Sequence, residues 1–139
     1  MKSKLLAFVL CCIGFLFGCN SDDSINLPLE VFTAEWHVSN ISGGLAGIND
    51  DYVQGTIIWS FTPDSGTLEV ENNNNTDTIY DGLPSGTYEY SILDVDGELF
   101  MIIDNQEFGG IASTTNSLTI DQNQTSNGSG ADGFILQFR

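Results

Sequence analysis

The chain has 139 residues, 41% of them hydrophobic and 16% charged, with nineteen Asp/Glu against three Lys/Arg and a formal charge of −16. That length fits one domain of the usual ~100–150 residues and excludes a two-domain enzyme. The acid excess excludes nucleic acid as a partner, because phosphate backbones are held by clustered Lys and Arg.

Lys2 and Lys4 precede an uncharged apolar run from Leu5 to Gly18. A membrane-spanning helix needs ~20 apolar residues, so this shorter run reads as the apolar region of a secretory signal. It ends in Leu16-Phe17-Gly18-Cys19, which resembles the lipobox of bacterial lipoproteins. The resemblance implies cleavage before Cys19 and acylation of its thiol and new amino group. Residues 1–18 are then the signal peptide, 19–32 the acylated cysteine and a flexible tether, and 33–139 the folded domain. Phe17 departs from the small or aliphatic residue usual at its position. Cys11 and Cys12 are poorer anchors, since neither follows Gly, Ala or Ser and either would leave a short apolar region. The alternative is an ordinary secretory signal with an incidental cysteine. After cleavage Cys19 would be the one thiol left, so no intrachain disulfide can form. Two or more acyl chains, at ~0.8 kcal/mol per buried CH₂, give a stable anchor.

Asn20-Ser21-Asp22-Asp23 follows. Acidic residues directly after the lipidated cysteine resemble the surface-export signal of Bacteroidetes lipoproteins; the alternative is a plain solvated tether. The expected location is the outer membrane, with display on the cell surface if these acids are a sorting signal. Loss of residues 1–18 leaves nineteen carboxylates against Arg139, a formal side-chain charge of −18. Self-repulsion of that size opposes compaction at low ionic strength, so salt should raise stability.

From about Thr33 the pattern changes to short alternating runs divided by Gly, Asn and Asp, which predicts an antiparallel all-β domain. The predicted strands carry Ala34, Trp36 and Val38; Ile57, Trp59 and Phe61; Leu68 and Val70; Tyr88, Tyr90 and Ile92; Leu99, Met101 and Ile103; Leu118 and Ile120; and Phe134, Leu136 and Phe138 on their inner faces. Phe100 and Ile102 make the fifth strand apolar on both faces. A weaker run at Phe108–Ala112 contains Gly109-Gly110, which suggests a bulge. Asp64-Ser65-Gly66, Pro84-Ser85-Gly86 and Asp96-Gly97 are turn signals. Asn72–Asn75 and Asn123–Gly130 read as polar loops. Residues 42–53 read as a long connection able to cover one end, with room for a short helix. Eight hairpin-connected strands predict a closed antiparallel barrel, with a two-sheet β-sandwich as the alternative.

Ala34-Glu35-Trp36 opens the first strand and Arg139 closes the last. Lipocalin-like barrels begin with a Gly-x-Trp strand and carry an Arg near the last strand, packed over that tryptophan. Here Ala34 replaces the glycine. The runs Gly55–Phe61, Leu68–Asn73, Gly86–Ile92 and Ala131–Phe138 resemble small lipocalin-like lipoproteins of Flavobacteria. The resemblance implies an eight-stranded lipocalin-like barrel over most of residues 33–139. Closure would bring the first and last strands together and allow a cation–π contact between Arg139 and Trp36, worth ~0.5–2 kcal/mol.

No catalytic set is expected. His37 is the one histidine, no Gly-x-Ser-x-Gly elbow exists, and Glu69/Glu71 and Asp94/Asp96 are the acid pairs that so acidic a chain produces by chance. No cofactor is implied. Asp94-Val-Asp96-Gly97-Glu98 resembles the opening of an EF-hand loop without its later ligands, and Asp132 falls in a single copy of a Gly-rich calcium nonapeptide. Both read more simply as hairpin turns. Asp23-Ser24-Ile25 and Asp77-Thr78-Ile79 match a short Bacteroidetes O-glycosylation motif at Ser24 and Thr78. Two functions fit. The first is a lipid-anchored, non-catalytic binding module for a small apolar or amphipathic ligand lined by Trp59, Tyr88 and Tyr90. The second is a solid barrel whose acidic surface meets a basic envelope protein as partner or inhibited target.

Overall fold

The computed structural model describes residues 32–139. Cys19 and Ser24 lie outside the described residues. The strands are β1 (Glu35–Gly43), β2 (Ile48–Asp51), β3 (Ile57–Thr62), β4 (Thr67–Asn72), β5 (Gly86–Val95), β6 (Glu98–Ile103), β7 (Gln106–Thr114), β8 (Ser117–Asp121), β9 (Gln124–Thr125), β10 (Gly128–Ser129) and β11 (Phe134–Phe138). Hydrogen-bonded neighbours run β1, β3, β4, β5, β6, β7, β8, β11, and β11 returns to β1. The result is a closed eight-stranded antiparallel barrel, which decides against the sandwich.

Two strands carry the curvature. β1 pairs with β3 through Glu35–His37, then with β2 through Asn40–Gly43, while its other edge pairs with β11. β5 pairs with β4 through Gly86–Glu89 and with β6 through Tyr90–Val95. Each therefore bridges two stretches of wall.

Alternation sets which side chains enter the interior, and two bulges reset it. Ser39 is extra between the pairs Val38–Phe138 and Asn40–Gln137. A one-residue bulge flips the inward set. Trp36 and Val38 face in before it and Ile41 after it, Ile41 with no exposure at all. In β7, Phe108 is extra between the pairs Met101–Gly109 and Ile102–Glu107. The flanking Gly109 is required by close approach: a Cβ there would lie 2.7 Å from the Asp121 carbonyl oxygen.

The hairpins use local chemistry. Asp96 and Gly97 have φ of 55° and 88°, and Asp104 and Asn105 have 49° and 63°. Positive φ at both central residues matches the twist of paired strands. The Asp94 carboxylate accepts the Gly97 N–H at 2.9 Å, and Asp104 accepts the Glu89 N–H at 3.0 Å. Residues 42–53 form a turn and β2 with no helix, because Asn40 pairs across to Asn49 and Asp51 at 3.0 Å each. The polar stretch at Asn123–Gly130 contains the small β9–β10 hairpin, latched by Ser126, whose N–H and hydroxyl both donate to the Glu107 carboxylate.

Fifteen of the buried apolar residues form a single cluster along the axis. Phe100, 3% exposed, is buried outside that cluster, on the face of β6 opposite Met101 and paired with Gly110. Trp59 is the centre, with its ring 5.1 Å from Phe138, 5.8 Å from Phe108 and 6.2 Å from Phe61. β3 and β7 stand four places apart in the ring of eight, so the Trp59–Phe108 contact spans the barrel. At the end where β1 begins, Phe32 packs edge-on to Phe61 at 5.5 Å and stacks on Tyr90 at 6.2 Å. At the other end the 73–85 loop folds back over the barrel. Tyr80 stacks on Phe134 at 4.0 Å, and Leu83 packs against the core.

Candidate functional site

The Trp59 and Phe108 rings meet across the axis, and three clefts lie among the described residues. A cleft of about 360 Å³ is lined by Leu83 of the 73–85 loop, Tyr88 of β5, Ile103 of β6, Gln106, Glu107 and Phe108 of β7, and Asp104 of the intervening turn. Its floor is apolar, from Leu83, Tyr88, Ile103 and Phe108. Its edge is polar, from Asp104, Gln106 and Glu107. Tyr88 is half-buried and donates its hydroxyl to the Pro84 carbonyl at 2.8 Å, which ties the ring to the loop. The latch from Ser126 fixes Glu107 on the opposite wall. Volumes of ~300–1,000 Å³ suit small ligands.

A second cleft of about 370 Å³ lies between β2 and the 73–78 loop. Its walls are Asn49, Asp50, Asp51, Tyr52, Val53 and Thr56 on one side and Asn74, Asn75, Thr76 and Thr78 on the other. A third, of about 140 Å³, is lined by His37, Val38, Ser39, Tyr52, Gln54 and Arg139.

The residues singled out in the sequence separate. Trp59 is 0% exposed and belongs to the packed axis. Tyr88 lines the amphipathic cleft. Tyr90 sits between Phe32 and Phe61, its ring 5.0 Å from Phe61. Strand closure does bring Arg139 beside the first strand: His37 and Arg139 exchange backbone hydrogen bonds of 3.0 and 2.9 Å. Alternation then puts exposed Arg139 on the outer face with His37, while Trp36 is interior. His37 Nε2 lies 3.3 Å from Glu35, and Ser39 donates its hydroxyl to the Gln137 carbonyl at 3.1 Å. Asp94 and Asp96 belong to a hairpin turn rather than an EF-hand loop, and Asp132 has a turn φ of 69°. Among the described residues no group of three or more His, Cys, Asp or Glu is placed to hold a metal ion. Thr78 is half-buried, and its hydroxyl accepts from the Asn74 amide at 3.3 Å.

Sequence reasoning missed the 76–85 plug. Its signal was the pair of apolar positions Tyr80 and Leu83 inside an otherwise polar stretch. Tyr80 accepts a 3.0 Å hydrogen bond from Gln122. Burial pushes its hydroxyl above the ordinary pKa of 10.0, and the Asp81 carboxylate adds to that push while the Gln122 hydrogen bond opposes it. Burial likewise raises Tyr90 and Tyr52. A tyrosine whose folded pKa is raised contributes fully below the unfolded value and loses that contribution as pH rises through the folded one. The urea midpoint is therefore expected to hold steady up to about pH 10 on this account and fall above it. Tyr80→Phe should make that alkaline fall shallower; an identical slope in the variant would contradict the assignment.

No protein-family model, no curated protein and no solved structure matches the chain.

Proposed function

We propose that this is a lipid-anchored, non-catalytic binding protein of a bacterial outer membrane, a lipocalin-like barrel that takes a small amphipathic ligand at its rim. The observation that supports this reading is the 360 Å³ cleft beside Tyr88, apolar at its floor and polar at its edge. The packed axis directs the ligand to the rim rather than to a lumen. The carboxylates Asp104 and Glu107 favour a neutral or cationic head group over an anionic one.

The neutral amphiphile N-phenyl-naphthylamine serves as probe. It is expected to brighten on binding the protein. Tyr88→Ala should weaken binding about tenfold, since burying an aromatic side chain is worth ~1.5–3 kcal/mol. Unchanged affinity in that variant, with its melting temperature near the parent's, would count against the site.

A second reading, the interaction protein, draws on a different observation. Leu45, Val53 and Ile79 are 88%, 79% and 69% exposed in the loops around β2 and β4. Apolar tips on so acidic a surface suit a basic envelope protein, which charge would steer to the barrel.

A further inference from the structure

We infer that the cleft between β2 and the 73–78 loop binds a neutral sugar through its vicinal hydroxyls. Among the described residues β2 pairs only with β1. Its outer edge is a free row of N–H and C=O groups, and successive residues Asn49, Asp50 and Asp51 all line the cleft. Across from them stand Asn74, Asn75, Thr76 and Thr78, with Tyr52 as the aromatic member.

The donors and acceptors are mixed. Amides and hydroxyls do both, carboxylates accept, and the strand edge alternates. A sugar hydroxyl is both donor and acceptor, so each group in such a wall has a complement. Other ligand classes fit less well. The walls hold no cation to balance a phosphate or carboxylate, and Asp50 and Asp51 repel one. An ammonium or guanidinium donates only, and would offer no acceptor to the Asn49 and Asn75 side-chain amide N–H groups, which make no hydrogen bond among the described residues. An added polypeptide strand meets the 73–78 loop and two charged residues on a four-residue edge, the features that block edge pairing.

The walls are also held in place before any ligand arrives. Asn40 donates to the Asn49 amide oxygen and to one Asp51 carboxylate oxygen at 3.0 Å each, which orders both side chains and leaves the Asn49 NH₂ and the second Asp51 oxygen available. Asn74 is fixed by its amide to Asp81 at 3.1 Å and by the Thr76 hydroxyl at 2.6 Å. Groups already ordered lose less entropy on binding.

The test is NMR titration of the full-length protein in detergent with a panel of methyl glycosides of glucose, galactose and mannose at millimolar concentration. Glucuronate and trilysine serve as anionic and cationic comparisons. At least one neutral glycoside should shift the amide signals of Asn49–Val53 and Asn74–Thr78, with an affinity that added salt leaves unchanged. Asp50→Ala and Asn75→Ala, neither of which removes a hydrogen bond that holds the fold, should each weaken it about tenfold, the loss expected for a hydrogen bond to a charged or well-ordered group. Tyr88→Ala should leave it unchanged, which keeps this site separate from the amphipathic one. The inference is overturned if no neutral glycoside moves those signals, if trilysine alone binds there in a salt-sensitive way, or if both variants bind as the parent does.

Discussion

Trp59→Ala is expected to cost about 3–5 kcal/mol, the range for removing a large aromatic from a core. In a domain of this size that lowers the melting temperature by more than about 10 °C. The residue is 0% exposed and touches rings on β3, β7 and β11. Its loss opens a void where Trp59 and Phe108 meet across the barrel, beside the Phe61 and Phe138 rings. Trp59→Phe is the informative companion. The indole N–H is buried with no hydrogen-bond partner, and an unpaired buried donor costs ~1–3 kcal/mol. Phe removes that penalty while it keeps most of the ring contact, so it should cost less than half of what Ala costs. Urea unfolding of both variants checks the pair. Equal losses would mean that ring packing is not what Trp59 contributes.

Gly109→Ala is expected to be among the more damaging single-methyl changes in the barrel. The added Cβ would lie 2.7 Å from the Asp121 carbonyl oxygen, 2.8 Å from its carbon and 3.0 Å from the Gln122 nitrogen. All three are backbone atoms at the end of the neighbouring strand β8, so no side chain can swing aside. Overpacking typically costs ~1–3 kcal/mol, and a site that must move a strand falls at the top of that range. Gly97→Ala makes the contrast. Nothing lies within 4 Å of a Cβ there, so its cost comes from its φ of 88° alone. Thermal melts should rank Gly109→Ala well below Gly97→Ala. The reverse order would contradict the Phe108 bulge.

The inner faces of the strands were legible because alternation is a property of the sequence itself. Trp36, Ile57, Trp59, Leu68, Met101, Leu118, Ile120 and Leu136 all reach the core as their spacing requires. Ile41 was not legible, since its inward direction depends on the extra residue at Ser39, and a bulge is a property of two strands rather than one. The same holds for β2. Four residues reading Ile-Asn-Asp-Asp carry no strand signal, and only pairing with β1 makes them one. Of the three residues expected to line a ligand, Tyr88 stands in the amphipathic cleft, while Trp59 and Tyr90 pack against other rings. A sequence shows which face an aromatic occupies. It does not show whether the ring opposite reaches far enough to touch it, and that distance decides between a lumen and a packed axis. The second cleft was invisible for a similar reason, since Asn49–Val53 and Asn74–Thr78 are brought together by the lane that β2 and β3 share.

A closed barrel with rings packed along its axis puts the Trp59 and Phe108 rings in contact, though β3 and β7 are not neighbours in the sheet. NOESY spectra of the protein test this directly. Cross-peaks are expected between the Trp59 indole protons and the ring protons of Phe108 and Phe138, with none from Trp59 to water. Water contacts at that indole, or no cross-peak to Phe108, would mean an open interior or an unclosed wall, and the rim-binding account would fall with it.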